Sequence, residues 1–480
     1  KLKKYTVNLE SKKIEWGIVG MGLMGTNLSR NFALNGYRLS LYNRHLKGKE
    51  EQIALKQKKK FPELKDALAF ESLANFVSSI KRPRKIIILI TAGSALKIFL
   101  KKLMPLLSKG DIIIDGGNSH YKETEKINLQ LNKKKIYFLG MGISGGDKGA
   151  LNGPSLMLGG DKEAYAFVAK DLENVSAKRV GGKPCCAYLG NLGVGHFVKM
   201  IHNGIEYAEM QLITEIFSLL METFQGKINN IQKELESWQK SSSESYLLAI
   251  TSEILTYKDN NGLFINKIID TASTRGTGAW ASESGISMGY PNSSMIAALQ
   301  ARFTSGMKTK RENLSKIITL KKEDATISIK KLKIIYDICR LINHHQGFEM
   351  IRNSNQIYNW NADLHVIAHL WSEGCIIKSG LMKTLEKEFK TKASILEMDV
   401  FKKNILEAQT NWNSILNFAA ARLIPIPCIS SSWNFLISMT QEKSSGNIIQ
   451  AQRDYFGAHG IMTLDNKKGE IINGPWRNKN

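Results

Sequence analysis

The triplet Gly20-x-Gly22-x-x-Gly25 follows a strand-like apolar run and opens a helical pattern. Three glycines at this spacing suit a strand-to-helix turn. The first makes the tight turn, the second lets backbone approach a pyrophosphate, and the third allows close helix–strand packing. The triplet alone is weak. At the first βα junction of an alternating region it points to a dinucleotide site formed by Gly20, Met21, Gly22, Leu23, Met24 and Gly25. Strand patterns over 14–20, 38–42, 85–90, 111–115 and 136–140 alternate with helical ones, as in a parallel α/β sheet. From about Gly193 to about Ala421 amphipathic helical patterns dominate. After about Gly457 the chain turns polar, as an extended tail does. The fold expected is a Rossmann-type α/β domain over 1–192, a large all-α domain over 193–445, and a C-terminal tail over 446–480.

At 480 residues the chain exceeds what one core accommodates, which agrees with several domains. No apolar run nears the roughly 18 residues a membrane span needs. Residues 1–13 show no hydrophobic signal region. The five cysteines are odd in number and lack metal spacing, so a reducing cytoplasm is the expected setting. The net charge of +24 suits either nucleic acid or anionic substrates. Its lysines are scattered without aromatic interleaving, so most of the excess reads as solvated surface.

The end of the second strand bears on which dinucleotide is bound. An NAD site usually places an acid there for the ribose 2′-hydroxyl. This chain has Asn43, Arg44 and His45, and the planar fork of Arg44 suits a 2′-phosphate. NADP is therefore the expected cofactor.

A greasy helix expected over 194–220 carries Lys199, His202, Asn203 and Glu206. At 3.6 residues per turn these lie within about 100° of one another. Such a cluster either satisfies itself, as a Lys–Glu pair two turns apart, or serves proton transfer between groups of shifted pKa. Glycine-rich loops at Asp115-Gly116-Gly117-Asn118 and Gly142-Ile143-Ser144-Gly145-Gly146 follow strands, where α/β sheets bind ligands. Asn118 and Ser144 add donors that plain turn chemistry does not require.

With these motifs, and with 199–207 and 450–459 as long idiosyncratic segments, the chain resembles the 6-phosphogluconate dehydrogenases from Gly17 to about His459. The resemblance implies NADP-linked oxidative decarboxylation of 6-phosphogluconate to ribulose 5-phosphate, in the pentose phosphate pathway. It assigns the base to Lys199 and the acid to Glu206. Asn118, Ser144, Gly145, Gly146, His202 and Asn203 are implied to hold the sugar acid. Tyr207, Arg275 and Arg302 match phosphate-side contacts. Arg453 and His459 do so from the partner subunit of a homodimer. The chain departs from the family with Arg275 and Ala279 where lysines are usual, Ala281 where Thr is common, Thr91 at a cofactor-side Lys, and Asp147-Lys148 at an acidic pair. No metal is required by the chemistry, and the histidines at 344, 345, 365 and 369 read as packing or surface groups. The alternatives are a non-decarboxylating NAD(P)-dependent 3-hydroxyacid dehydrogenase and a non-catalytic nucleic-acid binder.

Overall fold

The computed structural model describes residues 14–260, 262–274, 276–465 and 469–478. Strands β1 (Ile14–Val19), β2 (Leu39–Tyr42), β3 (Leu68–Phe70), β4 (Ile80–Ile88), β5 (Ile112–Asp115), β6 (Tyr137–Ser144), β7 (Ser155–Gly160) and β8 (Cys186–Tyr188) form one eight-stranded sheet. Their order is β3-β2-β1-β4-β5-β6-β7-β8. Ile86 to Ile88 and Ile112 to Ile114 are fully buried, as strands covered by helices on both faces must be. The chain leaves β1 in one direction for β2 and β3, then returns to β4 on the other side. The crevice between the carboxyl ends of β1 and β4 is the switch point where such sheets bind ligands.

The structure corrects two points of the sequence reading. The sheet is not wholly parallel, because β6 and β7 pair antiparallel from Leu139↔Gly160 to Ser144↔Ser155. The short connection Gly145 to Pro154 leaves no room for a full crossover of a dozen or more residues. The second point concerns 142–144, which belong to β6 rather than to a loop after it. Glycines weaken a strand, so an interior Gly142 looked like a turn; its reason is tertiary.

That reason is the 30-residue helix Val194–Thr223, which lies against β6 and β7. A Cβ at Gly142 would collide with Cβ of Lys199, and one at Gly195 would come within 2.6 Å of the carbonyl oxygens of Gly140 and Met157. One at Gly159 would come within 2.6 Å of the Gly195 nitrogen. Glycines on both sides thus let helix and sheet approach backbone to backbone. On its other sides the helix packs against Thr277–Ser287, Ser293–Gly306 and Ile329–Tyr358. There Asn343 donates to the Ile205 carbonyl (2.9 Å), and Arg340 pairs with Glu209 (2.9 Å) in full burial. The change of element type near 193 is therefore no gap in packing, since sheet and helices up to Ser431 make one compact unit.

A second compact unit begins at Ser432, inside the helix Pro427–Thr440, and includes the helix Gly446–Gly457. Beyond Gly457 the chain doubles back instead of running out extended. The buried Asp454 carboxylate accepts from the backbone N–H of Gly460 (2.9 Å), that of Gly474 (2.9 Å) and the Trp476 indole (2.8 Å). A buried charge gathers donors in this way, and nothing in the local composition announces it.

Gly142→Ala is expected to lower stability by about 1–3 kcal/mol, the usual cost of overpacking. Chemical denaturation would read it, and an unshifted midpoint would mean that strand and helix part without cost.

Candidate active site

The central helix presents Lys199, Asn203, Glu206 and Tyr207 to a cavity of about 550 Å³. Its other walls bring Asn118 from the turn after β5, and Ser144, Gly145 and Gly146 from the end of β6. Met24, Arg302 and Ile376 also line it. The Asp115 carboxylate shapes the first of these walls, accepting from Gly117 N (3.0 Å) and Ser119 Oγ (2.6 Å). Gly145 (φ +116°) and Gly146 (φ +63°) turn the second, in a region that favours glycine.

Lys199 is buried, and burial pushes its ammonium pKa down, with Glu206 acting in the opposite sense. Burial pushes the Glu206 carboxyl up, against the lowering influence of Lys199 and Arg302. Both shifts favour the uncharged forms, an amine that can accept a proton and a carboxylic acid that can give one. The sequence left a structural Lys–Glu pair open as the alternative. Lys199 and Glu206 make no ion pair with each other among the described residues, and both face the cavity, Glu206 Oε2 lying instead 3.7 Å from His202 Nδ1.

His202 sits lower. It is fully buried and does not line the cavity. Its Nε2 lies 3.0 Å from Ser144 Oγ, and its Nδ1 lies 3.2 Å from Asn203 Oδ1 and 3.4 Å from Lys199 Nζ. Burial first, and then the nearness of Lys199, whose ammonium form would repel an imidazolium, hold its pKa well below the ordinary imidazole value. Tyr207 carries the Arg302 guanidinium stacked 3.5 Å above its ring, a cation–π arrangement, and the guanidinium nitrogens make only long contacts with the Ser273 carbonyl (3.4 Å) and the Met210 sulfur (3.4 Å). Arg275 lies outside the described residues. Arg453 and His459 belong to the second compact unit, Arg453 on the helix Gly446–Gly457 and His459 just past it.

A second cavity, about 490 Å³, opens at the switch point and is lined by Gly20, Gly22, Asn43, Arg44 and Thr91. Leu89 and Ile90, just past β4, line both cavities, so the two adjoin. A Cβ on Gly25 would strike the Gly20 carbonyl, whereas one on Gly22 would meet nothing within 4 Å. Protein packing therefore explains Gly25 but not Gly22, which leaves backbone open to a ligand, as a pyrophosphate cradle requires. Asn43 is buried, and its Oδ1 accepts from Met21 N (3.0 Å), tying the end of β2 to the glycine turn. Leu23 is exposed, Ala92 is half-buried outside the cavity wall, and His45 turns to Glu71 (3.1 Å). The sequence reading missed Glu50 and Lys102, which line this cavity, and Ile376, which lines the other. Each arrives from a segment with no motif of its own.

Two family descriptions match the chain, the NAD binding domain of 6-phosphogluconate dehydrogenase over residues 15–190 and its C-terminal domain over 195–476. The chain belongs to the 6-phosphogluconate dehydrogenase family. Among its relatives is the decarboxylating 6-phosphogluconate dehydrogenase of Lactococcus lactis subsp. lactis (strain IL1403). It is 37% identical over 96% of this chain and 98% of that protein. The NADP(+)-dependent, decarboxylating enzyme of Bacillus subtilis (strain 168) is also 37% identical, over 97% and 99%. The Plasmodium falciparum 6-phosphogluconate dehydrogenase, solved in apo form and in complex with NADP+ and with 6-phosphogluconate, superposes with a TM-score of 0.90. It is 31% identical and covers 96% of this chain and all of that one. Among the described residues no group of three or more His, Cys, Asp or Glu is arranged to hold a metal. His369 instead meets Glu386 (3.1 Å) and the Pro184 carbonyl (3.0 Å).

The shifts fix the pH signs. With Lys199 as the base and Glu206 as the acid, turnover is expected to fall at acid pH, as the Lys199 amine protonates through its depressed pKa, and at alkaline pH, as the Glu206 acid ionises through its raised one. Glu206→Gln is expected to lose roughly 10²- to 10⁴-fold in turnover and to flatten the alkaline limb. An unchanged pH profile would remove Glu206 from proton transfer.

Proposed function

We propose that the protein catalyses oxidative decarboxylation of 6-phospho-D-gluconate to D-ribulose 5-phosphate and CO2, with reduction of NADP. The observation that carries this reading is the cavity lined by both Lys199 and Glu206, which adjoins a glycine-turn cavity holding Arg44 and no acid at the end of β2.

The substrate is a 3-hydroxy acid. Asn118, the Ser144 to Gly146 turn and Asn203 hold its carboxylate and hydroxyls, while Tyr207 and Arg302 form the phosphate end. Gly20, Gly22, Asn43 and Arg44 hold the dinucleotide, whose nicotinamide when bound takes up the C3 hydride. Lys199, neutral in its buried setting, accepts the C3 hydroxyl proton as the ketone forms. The resulting ammonium hydrogen-bonds the ketone oxygen. It returns the proton there as the C1–C2 bond breaks and its electron pair shifts toward oxygen. CO2 leaves and an enediol remains. Glu206 then protonates the carbon that carried the carboxylate, while Lys199 takes the enediol hydroxyl proton back. His202 stays neutral throughout and keeps Ser144, Asn203 and Lys199 in register.

We read the assembly as a homodimer in the cytoplasm, with Arg453 and His459 of each chain completing the neighbour's phosphate site. One feature supports the dimer. The second compact unit exposes Ile448, Ile449, Tyr455 and Phe456 on a single helix, and apolar faces of that size call for a partner. All five cysteines are buried, and no disulfide forms among the described residues. No described helix is long and apolar enough to cross a membrane.

Purified protein given 6-phosphogluconate and NADP is expected to release NADPH and CO2 in equal amounts. NADPH without CO2 would move the chain to the non-decarboxylating 3-hydroxyacid dehydrogenases. Lys199→Ala should abolish turnover while NADP still binds, and a fully active variant would overturn the assignment of the base.

A further inference from the structure

The cavity at the switch point contains a carboxylate that the site, as read above, does not use. The loop after β2 closes on itself through a Leu46–Glu50 bridge, with Leu46 N donating to the Glu50 carbonyl (2.8 Å) and Glu50 N to that of Leu46 (2.7 Å). This brings the Glu50 side chain back onto Arg44. Arg44 Nη2 donates to Glu50 Oε1 (2.6 Å), and Nε lies 3.1 Å from both carboxylate oxygens. Glu50 Oε2 also accepts from Asn43 Nδ2 (3.0 Å). The guanidinium fork that would grip a 2′-phosphate is therefore already gripping an acid. Lys102, in the last turn of the helix Ser94–Leu103, lines the same cavity. Its three charged side chains amount to one net positive charge rather than two.

We propose that Glu50 is a specificity-determining residue of the cofactor site, a built-in counter-charge that weakens the hold on the 2′-phosphate and so narrows the preference for NADP over NAD. Arg44 is two-thirds exposed, so its pair with Glu50 is cheap to break. A dianionic phosphate with bidentate geometry displaces the carboxylate from the fork. The displaced carboxylate stays tethered by Asn43, and Asn43 is itself fixed to the glycine turn. Its charge cannot leave the neighbourhood, and it repels the phosphate that replaced it. The acid missing from the end of β2 thus returns through the loop and acts against the phosphate, while Arg44 acts for it.

This inference rests on the reading of Arg44 as the 2′-phosphate contact, and the experiment separates the two. Adenosine 2′,5′-bisphosphate and 5′-AMP are titrated calorimetrically into the full-length protein and its Glu50→Gln and Glu50→Ala variants. Affinity for the bisphosphate is expected to rise roughly three- to tenfold, the size of one screened like-charge interaction. Affinity for 5′-AMP is expected to stay within about twofold, which also reports an intact adenosine site. Equal or weaker bisphosphate binding in both variants, with 5′-AMP binding retained, overturns the proposal. It would make Glu50 a spectator, or a group that orients Arg44. In a parallel Arg44→Asp variant the preference for the bisphosphate over 5′-AMP should vanish. If it persists, the Arg44 reading itself fails, whatever the Glu50 variants do.

Discussion

Helix and sheet touch backbone to backbone where Val194–Thr223 crosses β6 and β7, and the catalytic geometry depends on that contact. Gly142 and Gly159 on the strands face Gly195 and the Lys199 stem on the helix. Any side chain between them would hold the helix off, and Lys199 with it. The approach has a second consequence. It removes water from around the Lys199 amine, and burial is the largest cause of that group's lowered pKa. One packing decision therefore sets both the position of the Lys199 amine and the loss of water that lowers its pKa.

The same helix also sets the chemical division between Lys199 and Glu206. Two turns apart on one face, they share a cavity but not an ion pair, and burial drives both toward their uncharged forms. A closer pair would lock into a salt bridge and lose its proton-transfer capacity, because each charge would stabilise the other. His202 occupies the layer beneath. Burial keeps it neutral, and its ring nitrogens lie within 3.4 Å of Ser144, Asn203 and Lys199. The proposed mechanism thus draws on three titratable groups on one helix with three different environments. Arg302 over Tyr207 closes the far end with a permanent cation, suited to a phosphate rather than to proton exchange.

Much of this was legible in the sequence. The glycine triplet, the strand pattern up to β6 and the polar face of the central helix are local signals, because each is written in consecutive residues with a period of two or 3.6. Strands β3, β7 and β8 were not anticipated. β3 and β8 have three residues each, too short to show a period, and β7 ends in two glycines, which weaken a strand signal. Gly142 was misplaced for a related reason, since a glycine that makes room for a helix looks the same as one that makes a bend. His202 was expected on the working face, and the helical wheel did place it within reach. Only the packing of β6 decided that it supports the cavity from below.

Residue types and their spacing along the helix determined the chemistry: an amine, an acid and a dinucleotide turn, each defined within a few residues. Tertiary structure alone decided how those pieces meet. Glu50 comes back to Arg44 through a loop closure, Ile376 reaches the substrate cavity from more than 160 residues beyond Asn203, and Asp454 gathers the end of the chain around a buried charge. Such contacts depend on where backbone is free to approach and which charges lose water, and neither is encoded in the order of neighbouring residues.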